Sequence, residues 1–327
     1  MANILVTGAA GFIGFHLCGR LLAPGDSVTG LDNLNDYYDV QLKRDRLAQL
    51  EGRPGFTFAR ADLADRAQME QTFRDQSFDI VVNLAAQAGV RYSLTNPHAY
   101  VDSNLVGFLN VLEGCRHQSV KHLVYASSSS VYGSNPTLPK NEDDWTRPLS
   151  PYAVSKLATE GYAIAYQASY GMRTLPFRFF NVYGPGQAAG HAYAAVIPKF
   201  IDAALNGQPL EIHGDGKQSR DFTFVADVCA VIMSAVERKL ANPGPVNLAF
   251  NTNTTLLELI AELEAQLGQH VAKEFTDPRV GDVRASQADA VLLRELFPDV
   301  TPRPLTEGLA ATLEWYRGRI GQTGASS

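Results

Sequence analysis

The chain has 327 residues, 45% of them hydrophobic, enough to bury a large core in one big domain or two joined ones. Its 28 Lys and Arg stand against 34 Asp and Glu, a net charge of −6 with the basic residues scattered, which is not the electrostatic footprint of a nucleic-acid or anionic-membrane binder. Cys18, Cys115 and Cys229 are odd in number and lack CxxC spacing, so they read as buried thiols of a reducing, cytoplasmic compartment, with no disulfide framework and no metal expected.

From the amino terminus, short apolar runs alternate with stretches of helical spacing. Residues 4–7 read as a strand, 12–22 as a helix, 27–32 and 56–60 as strands, 65–75 as a helix and 80–84 as a strand. The series continues with a helix over 104–117, a strand over 122–127, a helix over 152–170 and a strand over 174–180. The chain opens on strand-like Asn3-Ile4-Leu5-Val6 rather than on a signal segment, and no apolar run approaches the roughly 18 residues of a membrane span. A repeated βαβ pattern predicts an α/β fold: a doubly wound parallel (Rossmann) sheet over residues 1–180, with ligands beyond the carboxyl ends of its strands. From Asn181 onward turn-rich segments such as 213–217 and 242–245 intervene. A smaller α/β substrate-binding domain is expected over 181–219 and 251–327, with a segment of about 220–250 returning to the first domain and the tail after Gly321 frayed.

Gly8, Gly11 and Gly14 close the first strand and open the first helix. Glycines at GxxGxxG spacing let a backbone turn approach a pyrophosphate and present helix amides, here those of Phe12 and Ile13, to it. Asp32 ends the next strand 18 positions beyond Gly14, close to the spacing of about 20 expected of an acid that accepts hydrogen bonds from the adenosine ribose diol. A carboxylate there repels a 2′-phosphate, so NAD is favoured over NADP. Its neighbour Asn33 shares the turn, and Lys43 and Arg44 read as a charged helix face. Asp62 and Leu63 after the third strand fall beside the adenine, and Leu84-Ala85-Ala86-Gln87 after the fourth is small enough for the cofactor to cross the sheet edge.

Tyr152 and Lys156 lie four apart on one predicted helix face. A free phenol is a poor base at neutral pH, whereas an adjacent ammonium, joined by the positive nicotinamide ring, favours phenolate. Upstream, Ser127, Ser128, Ser129 and Ser130 end a predicted strand and can orient a reacting hydroxyl toward Tyr152.

Gly8, Gly11 and Gly14 with Ser128, Tyr152 and Lys156 resemble the extended short-chain dehydrogenase/reductase superfamily, in its nucleotide-sugar epimerase and dehydratase branch. The similarity runs over nearly the whole chain, through Arg178-Phe179-Phe180-Asn181-Val182-Tyr183-Gly184-Pro185, Arg220-Asp221-Phe222-Thr223-Phe224 and Pro278-Arg279-Val280-Gly281-Asp282. It implies a retained NAD held also by Asn104, Tyr152 and Lys156. It further implies that Asn181, Lys199, Arg220, Arg279 and Asp282 contact a UDP-sugar, and that the protein is a homodimer pairing through the helices around 104–117 and 152–170.

Within the branch, Asp32-Asn33-Leu34-Asn35-Asp36-Tyr37-Tyr38-Asp39 and Ala85-Ala86-Gln87-Ala88-Gly89-Val90-Arg91-Tyr92-Ser93 resemble the UDP-glucuronate 4-epimerases. Arg91 can hold a uronate carboxylate or a phosphate. Sugar 4,6-dehydratases carry an Asp-Glu pair where Ser129-Ser130 stands, and UDP-glucuronate decarboxylases carry Glu at the position of Ser130, so the resemblance implies epimerisation with the carboxylate retained. Asn181 departs from the Thr of many such epimerases, and Gln187-Ala188-Ala189 replaces their nearby Arg; Asn is common there in neutral-hexose epimerases. A neutral UDP-hexose or UDP-N-acetylhexosamine 4-epimerase is therefore the alternative. A non-catalytic Rossmann binding protein is the third reading, disfavoured by the intact Ser128, Tyr152 and Lys156.

Overall fold

The computed structural model describes residues 2–23, 25–278 and 283–324. The chain forms two compact units: Met1–Pro136, Glu142–Phe179 and Cys229–Asn247 make the first, and Thr137–Asn141, Phe180–Val228 and Leu248–Ser327 the second.

In the first unit, strands β1 (Asn3–Thr7), β2 (Ser27–Asp32), β3 (Phe56–Arg60), β4 (Ile80–Asn83), β5 (His122–Ser128) and β6 (Thr174–Phe179) join Val246–Leu248 in one seven-stranded sheet. The order is Val246–Leu248, β6, β5, β4, β1, β2, β3, with β3 through β6 paired in parallel. β4 and β5 are buried at every position, which is why they read as continuous apolar runs rather than alternating ones. The chain winds outward from β1 to β3, then returns to β4 on the other side of β1. This reversal opens a crevice at the carboxyl ends of β1 and β4, where a doubly wound sheet takes its ligand.

The helices of this unit include α1 (Phe12–Leu21), α2 (Val40–Ala48), α3 (Arg66–Asp75), α4 (Tyr92–Thr95), α5 (His98–Tyr100), α6 (Gly107–Gln118) and α7 (Pro151–Tyr170), with most of the helix Val225–Arg238. α7 starts sharply because Ser150 accepts the Ala153 amide and Pro151 sits in the first turn, and it stops at Gly171 in the left-handed region. One core layer sets Leu5, Val81, Leu123 and Tyr125 of the sheet against Phe73 of α3 and Phe108, Val111 and Leu112 of α6.

Several features differ from the sequence reading. α2 was anticipated only as a charged face at Lys43 and Arg44, the short α4 and α5 are additional helices, the strand Val246–Leu248 is an additional edge, and the helix expected from residue 104 begins as a π-helical segment, Val101–Val106, before α6. In the second unit, Asn181–Tyr183 pairs in parallel with Phe222–Phe224, and Lys273–Thr276 with Leu210–His213. Its core gathers Phe200, Ile201, Ile212, Leu259, Leu263 and Leu313. The helix Leu305–Gly324 continues past Gly321, where fraying was expected. Among the described residues no helix is long and apolar enough to cross a membrane.

Candidate active site

At the end of β1 the chain turns through Gly8, whose φ of +75° suits glycine. The Gly8 and Ala9 amides donate to Leu31 O at 2.7 and 3.2 Å, and the Gly11 amide to Gly8 O at 2.9 Å. A Cβ on Gly14 would lie 2.1 Å from Gly8 O, and one on Gly8 2.8 Å from the Ala85 nitrogen. The turn therefore closes flush against α1. Gly11 is the N-cap and brings no side chain, so the Phe12 and Ile13 amides form the positive end of the helix, suited to an anion.

Asp32 is buried and fixed: Oδ2 accepts from the Ala10 amide at 3.2 Å and Oδ1 from the Leu34 amide at 2.9 Å. Lys43 is no solvated face residue. It is buried, donates to Asn35 Oδ1 at 2.7 Å and lies 4.0 Å from Asp32 Oδ1; burial, more than any other cause, lowers its pKa. Asn33 donates to Asp62 Oδ2 at 2.9 Å, and the Ala64 amide to Asp62 Oδ1 at 2.8 Å. A cavity of about 520 Å³ is lined here by Asn35, Tyr37, Asp62, Gln87, Tyr92 and Ser103. Leu63 itself is buried in the core, its carbonyl bound by Asn110 at 2.7 Å. A glycine cradle that a Cβ would fill, a capless helix end and a fixed carboxylate at the end of β2 fit NAD.

After β4, the Leu84 amide donates to Thr7 O and the Ala85 amide to Thr7 Oγ1, at 3.3 and 3.1 Å, so Ala85 and Ala86 run past the glycine turn. Asn104, in the π-helical segment, accepts the Gln87 amide at 2.8 Å and donates to Gln87 O at 3.1 Å and Ser155 Oγ at 2.9 Å. It thus ties the loop after β4 to α7. The Tyr100 hydroxyl meets the carbonyls of Ala88 and Gly89 at 2.8 and 2.5 Å, and its ring stands edge-on to that of Tyr152, 5.9 Å between centroids. Arg91 caps α4 just beyond this loop and is half-buried.

β5 delivers its last three residues to α7. The Ala126 carbonyl accepts from Lys156 Nζ at 2.7 Å, the Ser127 hydroxyl donates to Glu160 Oε1, and the Ser128 side chain hydrogen-bonds Tyr152. Ser129 and Ser130 follow in a 3-10 turn, Ser129–Tyr132, whose Ser130 amide donates to Ser128 Oγ at 3.2 Å. Burial raises the Tyr152 pKa, opposed by the Ser128 hydrogen bond; burial lowers that of Lys156 to about 8, opposed by the Glu160 carboxylate. The lowering of the phenol expected from the ammonium is not among the causes acting on Tyr152, where desolvation outweighs the Ser128 hydrogen bond, and the ammonium is anchored instead on a β5 carbonyl.

Glu160 and Arg178 were not singled out from sequence. Arg178 holds Glu160 through two bonds, Nε to Oε1 at 3.0 Å and Nη2 to Oε2 at 2.9 Å, and both side chains are buried. Ser127, grouped by sequence with hydroxyls open to a sugar, is buried against this pair. The signal available in the sequence was Glu160 lying four residues past Lys156.

In the second unit, the Asn181 amide and Nδ2 both meet Asp221 O, at 3.2 and 3.3 Å. Lys199 pairs with Glu211, and Arg220 Nη1 donates to Ser219 O at 2.8 Å. Arg279 and Asp282 lie outside the described residues.

Residues 4–249 match the model of the NAD dependent epimerase/dehydratase family. A protein of Rhizobium meliloti (strain 1021) named probable UDP-glucuronate 4-epimerase is 38% identical over 95% of this chain and 96% of its own. UDP-glucuronic acid 4-epimerase from Bacillus cereus, solved with UDP-glucuronic acid and NAD, superposes with a TM-score of 0.89 at 32% identity, covering 97% of this chain and 99% of that one. UDP-N-acetylglucosamine 4-epimerase from Methanobrevibacter ruminantium M1, solved with UDP-N-acetylmuramic acid, gives the same TM-score and coverage at 33% identity.

Proposed function

Because the chain belongs to the NAD dependent epimerase/dehydratase family, we propose that it interconverts UDP-glucuronate and UDP-galacturonate by epimerisation at carbon 4. The observation that carries this reading is the gathering of Ser128, Tyr152 and Lys156 where β5 meets α7, two strands along the sheet from the glycine turn.

Gly8, Gly11, Phe12, Ile13, Gly14, Asp32 and the residues after β3 and β4 would hold NAD. When bound, NAD supplies a hydride acceptor for the sugar C4 and returns the hydride to the other face, so no net oxidation occurs. Tyr152 takes the proton of the C4 hydroxyl as the 4-keto sugar forms and gives it back once the sugar has turned. Ser128 orients that hydroxyl, and Lys156 favours the phenolate. A uronate makes the intermediate a β-keto acid, which loses carbon dioxide if its carboxylate aligns with the carbonyl π system. Ser129 and Ser130 bear the task of holding the carboxylate out of that alignment. Their hydroxyls can donate to it where an acid would repel it, and Arg91 supplies a cation for carboxylate or phosphate.

Asn181 favours the second reading, a neutral UDP-hexose or UDP-N-acetylhexosamine 4-epimerase. Incubation of the purified protein with a panel of UDP-sugars, without added NAD, discriminates: conversion of UDP-glucuronate is expected, and conversion of neutral sugars alone would establish the alternative. The reading extends to a homodimer in the cytoplasm. Exposed Val101 and Val106 on the π-helical segment and Val154 and Tyr162 on α7 support the pairing, and three buried cysteines outside any disulfide suit a reducing compartment. A monomeric mass by light scattering would overturn the dimer.

A further inference from the structure

We propose that Glu160 is a positioning residue for the proton-transfer pair: clamped by Arg178 and Ser127, its carboxylate keeps Lys156 protonated and so sets the alkaline limit of turnover. The inference rests on reading Tyr152 and Lys156 as that pair.

Tyr152, Lys156 and Glu160 are spaced by four, so they lie along one face of α7. β5 meets each of them in turn, Ser128 at Tyr152, Ala126 at Lys156 and Ser127 at Glu160. Ser127 and Arg178 are direct partners across β5 and β6, and both side chains reach the same carboxylate. Arg178 is fixed in turn by the Glu142 carbonyl at 3.1 Å and lies over the Tyr132 ring at 4.7 Å. Every oxygen of Glu160 is thus pinned in place within a buried shell.

A buried ion pair gains little stability over apolar residues of the same shape, because desolvation offsets the attraction. The pair's position explains its presence better. Lys156 is buried and its ammonium is anchored on the Ala126 carbonyl, so burial acts to strip its proton, and Glu160 opposes that loss. The other ionisable groups around this cluster are Tyr152 on α7, Tyr125 on β5, Arg178 on β6, Tyr132 in the 3-10 turn, Tyr100 on α5 and Glu142. A neutral Lys156 gives Tyr152 no electrostatic help, so the carboxylate acts on the reaction through two intermediaries.

The test compares wild type, Glu160→Gln, Glu160→Gln/Arg178→Gln and Tyr152→Phe as full-length protein. kcat is followed from pH 6 to 10, and Tyr152 ionisation is read as the 295 nm difference between each protein and its Tyr152→Phe counterpart. In Glu160→Gln the alkaline limb moves about one pH unit toward acid, which lowers activity at pH 9 relative to pH 7 about fivefold. The Tyr152 transition moves to higher pH. The double variant leaves no lone buried charge and carries the test if the single one fails to fold; its limb moves the same way by less. A uniform loss of kcat at all pH values, or an unmoved limb and transition while Tyr152→Phe is inactive, overturns the role of Glu160. Normal turnover by Tyr152→Phe would instead overturn the reading of the pair.

Discussion

Gly14→Ala offers a quantitative test of the cofactor turn. The added Cβ would stand 2.1 Å from Gly8 O, 2.8 Å from Gly8 C and 3.1 Å from Ala9 Cα. Carbon and carbonyl oxygen ordinarily meet at about 3.3 Å or more, so the clash exceeds an ångström. The atoms in the way are backbone, fastened to Leu31 O through the Gly8 and Ala9 amides, and cannot swing aside. α1 must slide instead, carrying Leu17, Cys18 and Leu21 out of their packing, at a cost of about 1–3 kcal/mol. The Phe12 and Ile13 amides move with it. A hydrogen bond to a charged group contributes about 1.5–3 kcal/mol, so loss of one such contact weakens NAD binding roughly 10- to 100-fold. NAD released on denaturation, titration of the stripped protein with NAD, and the melting temperature measure both effects. Gly11→Ala, 2.9 Å from the same oxygen, should be milder, and Gly318→Ala, with nothing within 4 Å, should leave NAD content unchanged. Wild-type NAD content and melting in Gly14→Ala would refute the reasoning.

Tyr152→Phe should keep its NAD while turnover falls about 10²- to 10⁴-fold, the usual worth of general base catalysis; near-normal turnover would remove Tyr152 from the mechanism. Ser130→Glu places an anion at the proposed carboxylate site and should depress UDP-glucuronate epimerisation well beyond that of any neutral UDP-sugar the wild type accepts, since about 1.4 kcal/mol is already tenfold. Equal loss on acidic and neutral substrates would refute the pocket. His122 is held neutral by burial, with a pKa lowered to about 4. Below pH 6.5 the unfolded chain takes up a proton that the folded one refuses, so stability is full above that pH and is lost as pH falls toward 4, by roughly 3 kcal/mol. Denaturant titrations at pH 7 and 4.5 measure this, and His122→Phe should show a smaller acid loss; an undiminished loss would exclude His122 as its source.

The strands and the glycine turn were legible because their causes are local. β1, β2, β4, β5 and β6 are largely buried runs bounded by turns, and the spacing of Gly8, Gly11 and Gly14 takes its meaning from the strand before it and the helix after it. Of α2 only a charged face at Lys43 and Arg44 was legible, and its burial was not: Lys43 and Arg46 are buried because Asn35, Asp32 and the Ala10 carbonyl come from other elements to meet them. Glu160 and Arg178 were hidden for the same reason, since only the β5–β6 register turns two charged residues into a closed pair. Tyr152 and Lys156 could be paired from their spacing, but not the competition between burial and charge that decides their protonation.

The π-helical segment Val101–Val106 has a consequence for how this chain tolerates change in length. Each residue of an α-helix advances 100° around its axis, so one residue more or fewer rotates everything on one side against everything on the other. Upstream, Tyr100 must point at the Ala88 and Gly89 carbonyls; downstream, Gly107, Phe108 and Val111 must face the core. The wide turn is the phase correction that lets both hold, with Asn104 inside it reaching Gln87 and Ser155 at once. A deletion there would regularise the helix and yet swing one set of contacts away from its partners, whereas a substitution at exposed Val101 or Val106 would leave the phase alone.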